Sequence, residues 1–130
     1  MTLFLLALIV GLAVPAFAVP RLALSVHLLG VLQGVFLMVL GLVWPRLTLR
    51  RGLSRAAAGL AVYGCVAALL ANGVAAVTGG SGMLPLASAG ARSAPGWELA
   101  ITLGLRSAAV ALIGAVALTL WGLRASPAGD

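Results

Sequence analysis

His27 is the only histidine in the 130-residue chain, and so the only imidazole available to bind a metal or move a proton near neutral pH. At about 100° per residue, a helix sets Gly30, Gly34, Met38 and Gly41 within roughly 60° of it, on one face. Glycines beneath an imidazole leave a shallow groove. Two readings fit that pattern. In the first, small residues let a second helix approach and His27 bonds across the gap. In the second, a flat ligand such as a porphyrin lies where the glycines clear space, coordinated through a ring nitrogen of His27. Gln33, about two turns on, points to one side. It can reach the same cavity or bond a neighbouring helix.

Other polar side chains in the apolar stretches that could do chemistry are Tyr63, Asn72, Thr102, Arg106 and Ser107. Arg106 is deep for a guanidinium unless it snorkels to headgroups or meets a haem propionate, an anionic substrate group or a carbonyl. Glu98, eight positions earlier, is too far for an i,i+4 pair. Tyr63, with Gly59 a turn away, reads as a packing residue, and Asn72 as the better polar candidate. His27, Asn72 and Arg106 are all expected in the outer half of a bilayer, covered by the Gly-rich 79–97 segment. No apolar stretch holds a carboxylate, which sets back a proton-coupled exporter. One histidine excludes bis-histidine ligation within a chain. No Ser/His/Asp set, carboxylate pair, zinc-spaced Cys/His set or phosphate-cradling loop is present. Any catalysis must borrow its chemistry from a cofactor.

The elements that position these residues follow from composition. The chain is 63% hydrophobic and 8% charged, against about 25% charged in soluble domains. Its apolar residues must therefore face lipid. A spanning helix needs about 20 such residues, and four stretches qualify or nearly do: 3–19, 22–44, 56–78 and 99–123. The expected fold is all-α, a four-helix integral membrane bundle forming a single domain over residues 1–130. Pro20 is expected to end the first helix, Pro45 the second and the Gly79–Gly82 cluster the third. Ala16-Phe17-Ala18 resembles a signal-peptide cut, but no basic residue precedes it. Eight arginines and two acids give a net charge of +6. Arg46, Arg50, Arg51, Arg55 and Arg124 lie at one end of the spans, while the other holds only Arg21 and Arg92. The positive-inside bias places both termini and the 45–55 loop in the cytoplasm, within an inner membrane. Trp44 and Trp121 then mark the cytoplasmic interface and Trp97 the other. No basic stripe with interleaved aromatics supports nucleic-acid binding. Cys65, the single cysteine, has no partner for an internal disulfide. Four helices rich in Gly and Ala, with spacings such as Gly30-x-x-x-Gly34 and Gly104 with Ala108, imply a homo-oligomer.

The stretch Leu24-Ser25-Val26-His27-Leu28-Leu29-Gly30-Val31-Leu32-Gln33-Gly34, continued to Trp44-Pro45-Arg46-Leu47, resembles the bacterial hydroxylaminobenzene mutases. Tyr63-Gly64, Gly82-Met83-Leu84-Pro85-Leu86-Ala87 and Leu120-Trp121-Gly122-Leu123 continue the likeness in order. It covers most of residues 22–123, with helix one matching only in hydrophobicity. Those mutases are similar in turn to the styrene oxide isomerases, four-helix membrane enzymes holding haem b between the subunits of a trimer. The resemblance implies an isomerase acting on a small aromatic hydroxylamine or epoxide, with ferric haem as Lewis acid. It implies His27 as axial ligand and Gln33 as the amide beside the substrate. Gly30, Gly34 and Arg106 are the expected cofactor contacts, and Asn72 is the second polar group for the reaction. The family pattern has Asn where Gln33 stands, and a Tyr-Ala-Asn run where this chain has Val66-Ala67-Ala68. The competing reading is a non-catalytic membrane protein or assembly partner, with His27 a packing residue. For the topology, a reporter fused after Asp130 is expected to be active only as a cytoplasmic type; strong activity of a periplasm-dependent reporter would reverse the orientation.

Overall fold

The computed structural model describes residues 1–16 and 20–124. Its regular elements are helices: α1 (Thr2–Ala13), α2 (Pro20–Val43), α3 (Arg51–Thr78) and α4 (Pro95–Arg124). Short 3-10 turns follow α1 at Val14–Ala16 and α2 at Trp44–Arg46. The first helix stops well before residue 19. Pro15 has no amide hydrogen to donate and falls in the 3-10 turn that succeeds Ala13. Residues 17–19, which the sequence reading included, lie outside the described residues. Pro20 opens α2 rather than closing α1, because the first turn of a helix has no use for the missing N–H. α3 and α4 begin five and four residues earlier than their apolar stretches, at Arg51 and Pro95. Hydropathy marks where hydrocarbon-compatible residues begin; the backbone ladder continues past that limit into the polar zone.

Among the described residues three helices are long and apolar enough to cross a membrane: α2 with its turn, α3 and α4. Of the four expected spans, the first is represented among the described residues by the shorter apolar helix α1. α1 has 12 residues, a rise of ~18 Å against a hydrocarbon core of about 30 Å. The large apolar side chains point outward, with Leu12 at 87%, Leu42 at 78% and Val77 at 79% exposure. The small ones point in. This reversal of a soluble core suits lipid on the outside.

The principal contacts run between sequence neighbours, α1 on α2, α2 on α3, and most extensively α3 on α4. The buried positions of α3 recur every three or four residues at Ala57, Ala61, Gly64, Ala68, Ala71 and Ala75. On α4, Ile101, Ala108, Ala111, Ala115 and Gly122 repeat with the same period. Two facing seams of small residues bring the backbones together. A Cβ on Gly64 would stand 2.6 Å from Leu112 Cγ and 3.1 Å from the Ala108 carbonyl oxygen. Leu40 of α2 joins Ala61 and Ala115, with Phe36, Leu37 and Trp44 around them.

Both ends of the α3–α4 pair are tied by polar contacts. At one end, Thr48 donates through its backbone N–H (3.2 Å) and hydroxyl (2.9 Å) to the Gly122 carbonyl, one of the carbonyls a helix end leaves open. The Leu49 side chain covers Gly122, 2.7 Å from where a Cβ would stand. At the other end, Glu98 in the first turn of α4 accepts hydrogen bonds from the backbone of Gly82 and Ser93 and from the Ser81 hydroxyl. Ser88 Oγ accepts from Ser81 N–H at 2.9 Å. Gly79 closes α3 at φ +94°, and Gly80 at φ +144° passes so near Ala91 that a Cβ would meet its carbonyl at 2.6 Å. The Gly-rich connection is thus a cap gathered on one carboxylate at a helix N-terminus.

The seam predicts a contrast between two glycines of α3. Gly64→Ala forces α3 and α4 apart and is expected to cost about 1–3 kcal/mol. Gly59→Ala meets nothing within 4 Å and is expected to be neutral or to gain up to about 1 kcal/mol from helix propensity. Thermal unfolding of the two variants in detergent checks this, and equal transitions would sink the seam.

Candidate functional site

His27 stands half-buried between α1 and α2, its Nδ1 2.7 Å from the carbonyl oxygen of Ala7. A carbonyl only accepts, so Nδ1 is the donor. α1 comes this close because Gly11 has no side chain: a Cβ there would lie 2.5 Å from Nδ1 and 2.6 Å from Cε1. The same approach settles the glycines of α2. A Cβ on Gly30 would be 2.7 Å from Ala7 Cβ, and one on Gly34 2.7 Å from Phe4 Cβ and 2.9 Å from Phe4 Cα. Of the two readings of this glycine face, the close helix approach holds over Gly30 and Gly34, where α1 fills the space a flat ligand would need. Only Gly41, with nothing within 4 Å, is free of neighbours on that face. An apolar groove of about 540 Å³ lies instead toward the other end of the α1–α2 contact. Leu8, Gly11, Leu12, Pro15 and Leu24 line it, and His27 is its imidazole.

Gln33 faces a different cavity. Six residues on from His27, it is turned by about 240° around α2, toward α3 and α4. Its side chain is 6% exposed, and neither Nε2 nor Oε1 has a hydrogen-bond partner. The cavity beside it, about 290 Å³, is lined by Leu32, Phe36, Cys65, Leu112 and Val116. Leaving a buried amide unpaired costs about 1–3 kcal/mol, so this group is where the fold is least satisfied. Cys65 is buried and free.

The convergence of His27, Asn72 and Arg106 does not form within the chain. Asn72 is buried on α3 and donates from Nδ2 to the Ala68 carbonyl at 3.0 Å, within its own helix. Arg106 is exposed in a third depression, about 590 Å³, between α3 and α4. Tyr63 and Ser107 line the same depression. The Tyr63 hydroxyl donates to Ser107 Oγ at 2.9 Å, and Ser107 donates on to the Gly104 carbonyl at 3.0 Å. Tyr63, read as packing, is therefore part of a polar pair beside Arg106. A hairpin folded about the middle of the 79–94 connection sets positions 63 and 107 at one level, the signal that was available. Ala7 and Gly11 had no comparable signal, because what places them is a backbone carbonyl and an absent side chain.

Among the described residues no group of three or more His, Cys, Asp or Glu side chains gathers to hold a metal ion. A metal at His27 would have to arrive inside a group that supplies its other ligands. The residues fit that case: one ring nitrogen is tied to α1, the other is unclaimed, and the surrounding groove is apolar.

The sequence profile of the styrene oxide isomerase family matches residues 1–124, so α1 is inside the match together with the other three helices. The chain is 46% identical over 127 residues to hydroxylaminobenzene mutase HabB of Ectopseudomonas oleovorans, covering 97% of this chain and 77% of the relative. It is 36% identical over 124 residues to HabA of the same organism, covering 95% and 92%. No solved structure shows significant similarity. With all four helices inside one family profile and two mutases alike along nearly the whole length, the chain belongs to the styrene oxide isomerase family.

Proposed function

We propose that this protein is an integral membrane isomerase, a mutase that shifts oxygen within a small aromatic hydroxylamine, using a ferric haem b held by His27. The likeness to two hydroxylaminobenzene mutases supports the reaction class. The observation that carries the cofactor is the His27 ring, anchored at Nδ1 with its second nitrogen unengaged beside an apolar groove. Leu8, Leu12 and Leu24 would flank the macrocycle, whereas Gly30 and Gly34 are taken up by α1 and leave it no floor. Arg106 suits a propionate, but its depression belongs to α3 and α4 and the His27 groove to α1 and α2. A single planar group touching both would bridge two copies, which supports a homo-oligomer, with a trimer implied by the family resemblance. Bound at His27, ferric haem would supply Lewis acidity toward the substrate's oxygen. Because the Gln33 cavity lies apart from the His27 groove in one chain, a substrate held at Gln33 would meet the haem of a neighbouring copy.

The chain's own residues supply binding and orientation. Gln33 presents a donating amide nitrogen and an accepting oxygen in a mostly apolar cavity. A hydroxylamine both donates and accepts, so it satisfies the two amide atoms together. An epoxide only accepts and would leave Oε1 unpaired. That asymmetry favours the hydroxylamine. Phe36, Leu112 and Val116 offer apolar walls to an aromatic ring and keep out water that would trap a cationic species. Asn72, already bonded within α3, serves in this reading as a structural residue. The arginine distribution supports placing both termini in the cytoplasm of an inner-membrane protein.

The bond from His27 to Ala7 also favours a second reading, a non-catalytic membrane protein in which the imidazole only joins two helices. One preparation separates them. Detergent-purified protein supplemented with haemin is expected to show a Soret band and to isomerise hydroxylaminobenzene. His27→Ala is expected to lose both while keeping its oligomer. A wild-type protein with no Soret band would remove haem from the reading, and one with no turnover would leave the packing role.

Gln33→Leu gives a second expectation. Removing an unpaired buried amide should raise the stability of the ligand-free protein by about 1–3 kcal/mol, while isomerisation falls. Denaturation in detergent beside a turnover assay checks it; a destabilised variant would mean that the amide is bonded and not waiting for a ligand.

A further inference from the structure

We infer that α1 is the positioning element for His27: the Ala7 carbonyl holds the proton on Nδ1, and Gly11 supplies the space that lets the ring adopt this pose. Nε2 is then the bare nitrogen before any ligand arrives. The purpose of the arrangement rests on the haem reading above, but its geometry does not.

A neutral imidazole in water favours the proton on Nε2, which is the wrong arrangement for coordination through that atom. At 2.7 Å the Ala7 carbonyl reverses the preference, because only a protonated Nδ1 makes this bond. The acceptor is a backbone atom inside α1. No side-chain substitution removes it, and the helix fixes its direction. Helical geometry already points the Gly11 amide at the same carbonyl, so the imidazole shares an acceptor that α1 holds in place. A buried backbone carbonyl with a second lone pair to spare suits this use.

Gly11 is the companion requirement. A methyl group there would sit 2.5 Å from Nδ1, 2.6 Å from Cε1 and 3.1 Å from Cγ of His27. The ring is rigid, so it cannot yield at one edge only. It must rotate about its own side-chain bonds or push α1 away, and either movement breaks the Ala7 bond. α1 is too short to be called a span on its own, yet the family match includes it from residue 1. Aligning the imidazole gives that helix a role beyond apolar filling. Partners of this kind orient a ligating histidine and raise its basicity, and losing one typically weakens metal affinity by about 10–100-fold.

The single histidine makes the test clean, because imidazole 15N signals of the full-length protein arise from His27 alone. In ligand-free wild-type protein in detergent, at a pH where the ring is neutral, the Nδ1–H tautomer is expected to dominate. Gly11→Ala is expected to turn that majority into a minority and to weaken haemin binding by about 10–100-fold. Gly41→Ala, in open space, should leave both at wild-type values. Circular dichroism and gel filtration establish that the variants are folded. If Gly11→Ala does not fold, the wild-type tautomer decides alone. A dominant Nε2–H tautomer in wild-type protein overturns the inference, as does a folded Gly11→Ala protein with unchanged tautomer and haemin affinity. Wild-type protein that shows the Nδ1–H tautomer and takes no haemin would uphold the positioning and sink the proposed function.

Discussion

Lipid tails are as apolar as leucine, so a chain in a bilayer gains nothing by turning its leucines inward. Helices hold together there through close contact of their backbones, and only small residues allow it. Ala61, Gly64, Ala68 and Ala71 on α3 facing Gly104, Ala108, Ala111 and Ala115 on α4 meet that requirement. Gly30 and Gly34 meet it between α1 and α2. Two of the polar contacts between helices take their places from these approaches. Tyr63 reaches Ser107 because the α3–α4 seam is narrow, and His27 reaches Ala7 because the α1–α2 seam is narrow.

Close approach also explains why a backbone atom, and not a side chain, holds the imidazole. Where two helices nearly touch, little room remains for a carboxylate or amide between them. A carbonyl of the facing helix is already at hand. The chain has two acids, one of them gathering the 80–93 connection through Ser81, Gly82 and Ser93. The histidine's partner was therefore most simply drawn from the main chain. The geometry is stiff as a result, since moving the acceptor means moving a helix.

Much of this was legible in the residues. The three long helices follow from hydropathy, and Pro45 and Gly79 punctuate them as their stereochemistry demands. The family likeness carried by His27 through Leu47 is borne out by the profile match and the two mutases. What the sequence left open or misplaced is instructive. The glycine face of α2 allowed two readings, a close helix approach or a groove for a flat ligand, because a missing side chain shows where space is available and not what fills it. Over Gly30 and Gly34 the close approach is the one that holds. There Phe4 and Ala7 fill the space. Helical level placed His27, Asn72 and Arg106 together, but level is only one of two coordinates. The rotation of each helix about its axis separates them into the α1–α2 groove, the α3 interior and the α3–α4 depression.

The interior polar groups divide by how they are satisfied. Asn72 bonds its own helix, Thr78 and Thr119 bond carbonyls four residues back, and Tyr63 and Ser107 bond each other. Those five each have a partner within the chain and would be equally at home in a protein with no ligand. Gln33 is not, with both amide atoms bare at 6% exposure. A bilayer has no water to supply the missing bonds, so the deficiency persists unless something enters the cavity. His27 is half complete, bonded at one nitrogen. If packing were all these residues did, leucine at 33 and any small residue at 27 would pack more cheaply. An unsatisfied amide and a half-satisfied imidazole on one helix are the cost the fold carries, and the proposed haem and hydroxylamine bear the groups that would remove it.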